Sequence, residues 1–314
     1  MSDAQITTFF LGTHDFAATI LQGLLHDPRF NIQRVITQPD RPIGRKQELQ
    51  ASPVKIIAQA NNLTLEQPAS LKNYNFELHN SPTSKKFPDL AIVAQYGLMI
   101  PKHIIESPKY GIINVHTSLL PHYRGASPIQ SALIAGEKKT GVTIMLMDEG
   151  MDTGPILAQE EIMIDPDDTY ESLDKKMAIL GRDLLLKTVP GYCMGNINPQ
   201  PQDSNSATIC KKLDRDDGRV DWEKPAQELY NLYRGLYPWP GIWTTWNNLR
   251  VKLLEIRPNT LRLAPGSLKV EKNTLLVGCG DSSIQIIQLQ VEGKNPQSAE
   301  SFIAGYDPHN QNFV

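Results

Sequence analysis

The sequence predicts a two-domain α/β protein: a doubly wound, mostly parallel sheet followed by a small antiparallel β-barrel. Three observations predict it. The 314 residues exceed what one hydrophobic core usually encloses. Up to residue 190, apolar strand patterns alternate with helix patterns, as in parallel strands joined by helical crossovers. Beyond residue 208 the pattern changes to short strands separated by polar turns, which reads as a small antiparallel barrel.

The elements follow in order. ITTFFLG (6–12) is a continuous apolar strand ending in glycine. The next stretch places Phe16, Ile20 and Leu24 on one side of a helix, with Asp15 near its start. NIQRVITQ is the second strand. Residues 39–53, PDRPIGRKQELQASP, are polar and basic, and too long for a plain strand-to-helix connection. PVKIIAQANN reads as a helix and LTLEQP as a strand. A polar region near 70–87 precedes the buried-strand pattern PDLAIVAQYG, then a short helix after Pro101. GIINVHTS, beginning at Gly111, and GVTIMLMD, ending at Asp148, are strands, and ILAQEEIMID continues as another. Asp168-Thr-Tyr-Glu171 looks like a capping box for a long helix with Leu173, Met177, Leu180 and Leu184 as its stripe, ending by Pro190.

Residues 191–208 are rich in Gly, Pro, Asn, Gln and Ser and read as a linker. The expected division is therefore a catalytic domain over 1–190, the linker, and the barrel over 209–314. In the last segment a helix starts near Pro225 with Leu229, Leu232, Tyr233 and Leu236 inward. The strands GIWTTW, LRVKLLEIR, SLKVE, TLLVGC and SSIQIIQLQ follow, the first two joined by an Asn247-Asn248 turn.

Composition narrows the function classes. A net charge of −3 gives no global attraction to nucleic acid or to a membrane surface. No apolar run reaches membrane-spanning length, and no basic-then-apolar leader opens the chain. Cys193, Cys210 and Cys279 have no metal-binding or CxxC spacing and read as reduced thiols of a cytoplasmic protein. Gly12-Thr-His-Asp lacks the spacing of a dinucleotide loop.

The chemistry concentrates in residues 111–155. Alternate residues of a strand share a face, so Asn114 and His116 project together. The next strand leads, through the Gly150 turn, to Asp152. An amide, an imidazole and a carboxylate at strand ends suit acyl transfer to a nitrogen nucleophile. Attack on a carbonyl builds negative charge on oxygen, and each preorganised donor aimed at it is typically worth ~3 kcal/mol. A nearby carboxylate would orient the imidazole and help remove a proton from the amine. Each residue also has a structural reading, as a local strand-end bond or a turn cap, and spacing alone leaves the two readings even.

The pattern N-V-H-x-S-L-L-P-x-x-R-G, followed by D-x-G-x-D-x-G-P, resembles the formyltransferase family that uses 10-formyltetrahydrofolate. Members of that family act on methionyl-tRNA, glycinamide ribonucleotide or sugar nucleotides. The resemblance implies Asn114, His116 and Asp152 as catalytic residues. It implies Ser118, Leu119, Leu120 and Pro121, with the loop Gln95, Tyr96, Gly97 and Leu98, as the binding site for the folate co-substrate, with no metal.

Two other stretches resemble the members acting on initiator methionyl-tRNA. TQPDRPIGRKQELQASPVK, with Arg41, Arg45 and Lys46, resembles their inserted loop, which implies contact with the acceptor-stem region of the tRNA; TICKKLDRDDGRVDW, with Lys211 and Lys212, resembles their carboxyl-terminal OB-like barrel, which implies a tRNA-binding domain. Residues 209–314 hold 13 Lys and Arg against 12 Asp and Glu, so any tRNA contact there must come from a local stripe. Three readings stay open beside this one: formyl transfer to an amino sugar or nucleotide, a catalytically inactive tRNA-binding protein, and hydrolysis of formyl-folate. The aromatic group Tyr230, Tyr233, Tyr237, Trp239, Trp243 and Trp246 reads as core packing. His103 and His122 read as surface or turn residues. A monomer is expected.

Overall fold

The computed structural model describes residues 5–43, 48–78, 86–309 and 311–314. In chain order the first elements are β1 (Ile6–Gly12), α1 (Asp15–His26), β2 (Phe30–Ile36), β3 (Arg41–Ile43), β4 (Glu48–Gln50), α2 (Pro53–Ala60), β5 (Leu65–Glu66), β6 (Leu90–Ala94) and α3 (Lys102–Ile105). Next come β7 (Ile112–His116), β8 (Arg124–Gly125), α4 (Pro128–Ile134), β9 (Lys139–Leu146), β10 (Ile156–Met163) and α5 (Tyr170–Cys193). The remainder is β11 (Ile209–Cys210), α6 (Ala226–Leu236), β12 (Ile242–Trp246), β13 (Leu249–Asn259), β14 (Leu268–Glu271), β15 (Thr274–Gly278), β16 (Ser283–Val291), β17 (Gln297–Ser298) and α7 (Ala299–Tyr306).

Two compact units result. The first takes residues 1–125, 139–162 and 174–209; the second takes 126–138, 163–173 and 210–314.

The first unit is built on a seven-stranded sheet ordered β10-β9-β7-β6-β1-β2-β5. β1, β2, β5, β6 and β7 run parallel, whereas β9 pairs antiparallel with β7. All five residues of β6 are buried, as expected of a strand covered on both faces. α1 buries Phe16, Ile20 and Leu24. α2 starts as its sequence dictates, with the Ser52 hydroxyl accepting from Lys55 N–H and Pro53 in the first turn. α5 lies close to the sheet because Gly181 lacks a side chain: a Cβ there would stand 3.0 Å from Val115 and 3.4 Å from Val142.

Within the polar 39–53 segment, Arg41–Ile43 pairs antiparallel with Glu48–Gln50. α5 continues through Pro190 to Cys193, three residues past the expected end. The stretch read as a linker is bound to this unit: Gln200 and Ile156 exchange backbone hydrogen bonds at 2.7 and 2.8 Å.

The second unit carries an antiparallel sheet ordered β12-β13-β16-β15-β14, with β17 beside β16. Asn247 and Asn248, with φ of 48° and 62°, make the two-residue turn between β12 and β13. Residues 311–314 join the two edges. Val314 exchanges backbone bonds with Thr245 at 2.9 Å, Leu268 N–H donates to Gln311 at 2.9 Å, and Phe313 N–H donates to Gly266 at 2.8 Å. Trp222, Leu229, Tyr233, Trp246, Phe302 and Phe313 fill the core. Of the predicted aromatic group, Tyr237 is half-buried and Trp239 is exposed, while the other four are buried.

The cap before α5 sits one residue later than predicted. Thr169 Oγ1 accepts from Ser172 N–H at 3.4 Å while Ser172 Oγ accepts from Thr169 N–H at 3.0 Å. Ser172 fills the reciprocal role expected of Glu171, which is exposed. Asp168 instead braces the preceding turn, accepting from Asp165 N–H and Ser172 Oγ–H.

Candidate active site

β7 places Asn114 and His116 on one face, as the alternation requires. Asp152 reaches them by a route the strand pattern did not show. Because β9 runs antiparallel, its last residue, Leu146, lies beside Ile113, away from His116. The loop 147–155 must fold back across the strand end. It does so with Asp152 at φ 54°, a left-handed conformation that Asp tolerates better than most residues. Gly154 permits the close return, since a Cβ there would lie 1.9 Å from the Leu146 carbonyl oxygen.

The three side chains converge on one oxygen. Asn114 Nδ2 donates to Asp152 Oδ1 at 3.4 Å, and His116 Nδ1 lies 3.7 Å from the same atom. The other carboxylate oxygen, Oδ2, accepts from Gly125 N–H at 2.8 Å. His116 is buried and Asn114 half-buried. His116 Nε2 lies 3.1 Å from the Tyr123 carbonyl, which can only accept. That bond puts the proton on Nε2 and turns Nδ1 toward Asp152.

The turn after β7 is braced from below. Ser118 Oγ donates to the His122 carbonyl at 2.6 Å, and Thr143 Oγ1 donates to the Ser118 carbonyl at 2.6 Å. Gln159 Nε2 donates to the Leu120 carbonyl at 2.8 Å. Ser118 and Leu120 are buried, so their side chains shape the turn, while Leu119 and Pro121 are partly open. The Leu120–Pro121 peptide is cis.

Gln95, Tyr96, Gly97 and Leu98 follow β6, the strand beside β7, at the carboxyl ends of the parallel strands where such sheets form sites. Gln38 Nε2 and Thr13 Oγ1 both donate to the Tyr96 carbonyl, at 2.6 and 3.0 Å. The buried Tyr96 hydroxyl has no hydrogen-bond partner among the described residues, and burial pushes it up to about 12.

Four supporting groups were assigned no role from the sequence. They are the Gly125 N–H, the Tyr123 carbonyl, Gln202 and Asp174. Gln202 Nε2 donates to the carbonyls of Asp152 at 2.9 Å and Gly154 at 2.7 Å, and its Oε1 accepts from Arg124 Nη2 at 2.8 Å. It holds the Asp152 loop from within the supposed linker. Asp174 Oδ1 accepts from Gln95 Nε2 at 2.9 Å.

Of the expected tRNA contacts, Arg45 and Lys46 lie outside the described residues. Arg41 is exposed and donates to Gln38 Oε1. Lys211, in the second unit, is exposed and paired with Asp217, and Lys212 is exposed. His103 and His122 are exposed. Among the described residues no cluster of His, Cys, Asp or Glu is placed to hold a metal, and no helix is long and apolar enough to cross a membrane.

The formyl transferase family matches residues 4–189, and the formyl transferase C-terminal domain matches residues 212–307; together with the doubly wound sheet they define the class, a formyltransferase. The methionyl-tRNA formyltransferase of Caldicellulosiruptor saccharolyticus is 43% identical over 95% of this chain and 96% of its own. That of Thermodesulfovibrio yellowstonii is 43% identical over 94% of each.

The chain belongs to the methionyl-tRNA formyltransferase family. Solved structures share the fold at lower identity. An N-formyltransferase from Helicobacter canadensis, in complex with folinic acid and dTDP-3-aminofucose, superposes with a TM-score of 0.67 at 18% identity, covering 90% of this chain and 99% of that one. HypX from Aquifex aeolicus, in complex with tetrahydrofolic acid, gives 0.61 at 16%, covering 96% of this chain and 47% of that one.

Proposed function

We propose that the protein transfers the formyl group of 10-formyltetrahydrofolate to the amino group of initiator methionyl-tRNA. The observation that carries this reading is the convergence of Asn114 and His116 on Asp152 Oδ1, in a chain matched over 95% of its length by a methionyl-tRNA formyltransferase. The folate supplies an activated formyl carbon. Gln95, Tyr96, Gly97, Leu98 and the 118–121 turn receive its pterin. The half-buried Leu98 and Leu119 suit the faces of a flat ring.

Asn114 Nδ2 turns from Asp152 to the formyl oxygen as negative charge builds there. This contact exists only in the transition state and so accelerates the reaction. Asp152 takes a proton from the attacking amine, directly or through water. The new bond joins the amine nitrogen to the formyl carbon. The bond to the folate nitrogen breaks, and that nitrogen takes up a proton. His116, fixed by Tyr123, sits with its imidazole beside the forming oxyanion. Arg41, Arg45, Lys46, Lys211 and Lys212 contact the tRNA phosphates, and the enzyme works as a cytoplasmic monomer.

Incubation with 10-formyltetrahydrofolate, with and without charged initiator tRNA, tests the reading. Formylmethionyl-tRNA formed only in the complete mixture is the expected result. Transfer to amino sugars or nucleotides, release of formate without tRNA, or tRNA binding without turnover would each replace it.

A further inference from the structure

The carboxylate of Asp174 has no part in the reaction proposed above, yet α5 turns it into the first unit at 9% exposure. Its Oδ1 accepts from the Gln95 side chain at 2.9 Å. Gln95 is the residue on which the chain leaves β6, and its φ of 41° is left-handed, uncommon for a residue with a full side chain. Such a conformation persists only where the surroundings over-determine it. Gln38 and Thr13 fix the next carbonyl, and Asp174 fixes the Gln95 side chain itself.

We infer that Asp174 is a positioning residue for the folate donor: through Gln95 it holds the 95–98 loop in its receiving shape, and it does so best as a carboxylate. The inference rests on the folate reading of that loop. A charged acceptor binds an amide N–H about twice as strongly as a neutral one. The groups facing Asp174 are Gln95 from the loop, Asp15 from the first turn of α1 and Lys175 on its own helix. Burial dominates, Gln95 opposes it, Asp15 adds to it and Lys175 opposes it, so the carboxyl is pushed up to about 6. Over the range below neutrality the carboxylate takes up a proton, and the loop loses its charged anchor.

Calorimetric titration with 5-formyltetrahydrofolate, a stable folate probe, between pH 5.0 and 7.5 tests the inference. The wild type is expected to lose about fivefold in affinity toward the acid end, the difference between a charged and a neutral acceptor. Asp174→Asn should bind at pH 7.5 with the affinity the wild type shows at pH 5.0, and should lose the slope. Gln95→Ala, which removes the amide itself, should lose at least as much and show no slope, and adding Asp174→Asn to it should cost nothing further. In transfer assays the loss falls on the donor KM rather than on kcat. Wild-type affinity in Asp174→Asn at pH 7.5, or a retained slope, overturns the inference. If Asp174→Asn does not fold, Gln95→Ala decides by the same slope. A wild type that binds no folate at any pH overturns the folate reading as well; binding that ignores Asp174 overturns this inference alone.

Discussion

The backbone N–H of Gly125 donates to Asp152 Oδ2 at 2.8 Å, so one carboxylate oxygen is held by main chain while the other faces Asn114 and His116. The held oxygen sets the direction of the working one. Asp152→Asn keeps the shape and upsets this division. If its oxygen faces Gly125, its NH₂ meets the Asn114 NH₂, donor against donor. Single-turnover formyl transfer should fall by about 10²–10⁴, the range of a lost acid–base group. Asn114→Ala should lose about 10²–10³, the range of a lost oxyanion donor. Folate affinity, measured separately, should change little in both. A near-normal transfer rate in either variant would remove the catalytic assignment.

Gly154 gives a test that changes the identity of no site side chain. A Cβ on it would lie 1.9 Å from the Leu146 carbonyl oxygen, and backbone cannot swing aside as a side chain does. Gly154→Ala must push the 147–155 loop outward and carry Asp152 with it. Displacement by an ångström typically costs about 10²-fold, which should appear in kcat. Gly305→Ala on α7 is the control, since a Cβ there meets nothing within 4 Å. It should leave transfer intact and add about 0.5–1 kcal/mol to unfolding stability through helix propensity.

These two tests mark what was legible in the sequence. Asn114 and His116 were, because a strand's period of two leaves no choice about a shared face. β6 and α1 were, because an unbroken apolar run and a stripe at helical spacing each allow one reading here. The course to Asp152 was not. Nothing in GVTIMLMD says that it runs antiparallel to β7, so the need for a returning loop was hidden. Gln202 was obscured by its setting among Pro, Asn and Ser, residues that mark irregular chain whether or not that chain is packed. The Thr169–Ser172 cap was hidden because it is offset by only one residue from the Asp168–Glu171 pattern, and sequence alone does not choose between them. Asp174 sits among the apolar residues of the α5 stripe, where composition gives no reason for a carboxylate.

Closure of the second sheet by residues 311–314 makes Phe313 a core residue, 2% exposed, with its ring 6.1 Å from that of Trp222. Phe313→Ala should destabilise by about 3–5 kcal/mol, the usual cost of emptying a buried aromatic site. Urea unfolding followed by tryptophan fluorescence measures it, because Trp222 reports the same core. A change below about 1 kcal/mol, the scale of an ordinary surface substitution or less, would show that the tail does not close the core in solution.

Asp174 allows a last prediction in which stability and binding move in opposite directions. Its carboxyl is raised from 3.8 to about 6, chiefly by burial, so the folded chain holds this proton more tightly than the unfolded chain. The stability it contributes is therefore fully present below pH 3.8 and is lost as pH rises through about 6. A rise of that size corresponds to about 3 kcal/mol at most, the figure for a carboxylate kept charged in a buried site. Asn in its place carries no charge to bury. Asp174→Asn should therefore be more stable than the wild type at pH 8, with the advantage shrinking through pH 6 and absent near pH 4. Urea midpoints across that range measure it. The same substitution should weaken folate binding at pH 7.5. A buried carboxylate that costs stability at neutral pH, and whose one hydrogen-bonded neighbour in the loop is Gln95, is accounted for by what it does to that loop. A stability difference independent of pH would mean that Asp174 stays charged in the fold, and the link between its proton and the donor site would be gone.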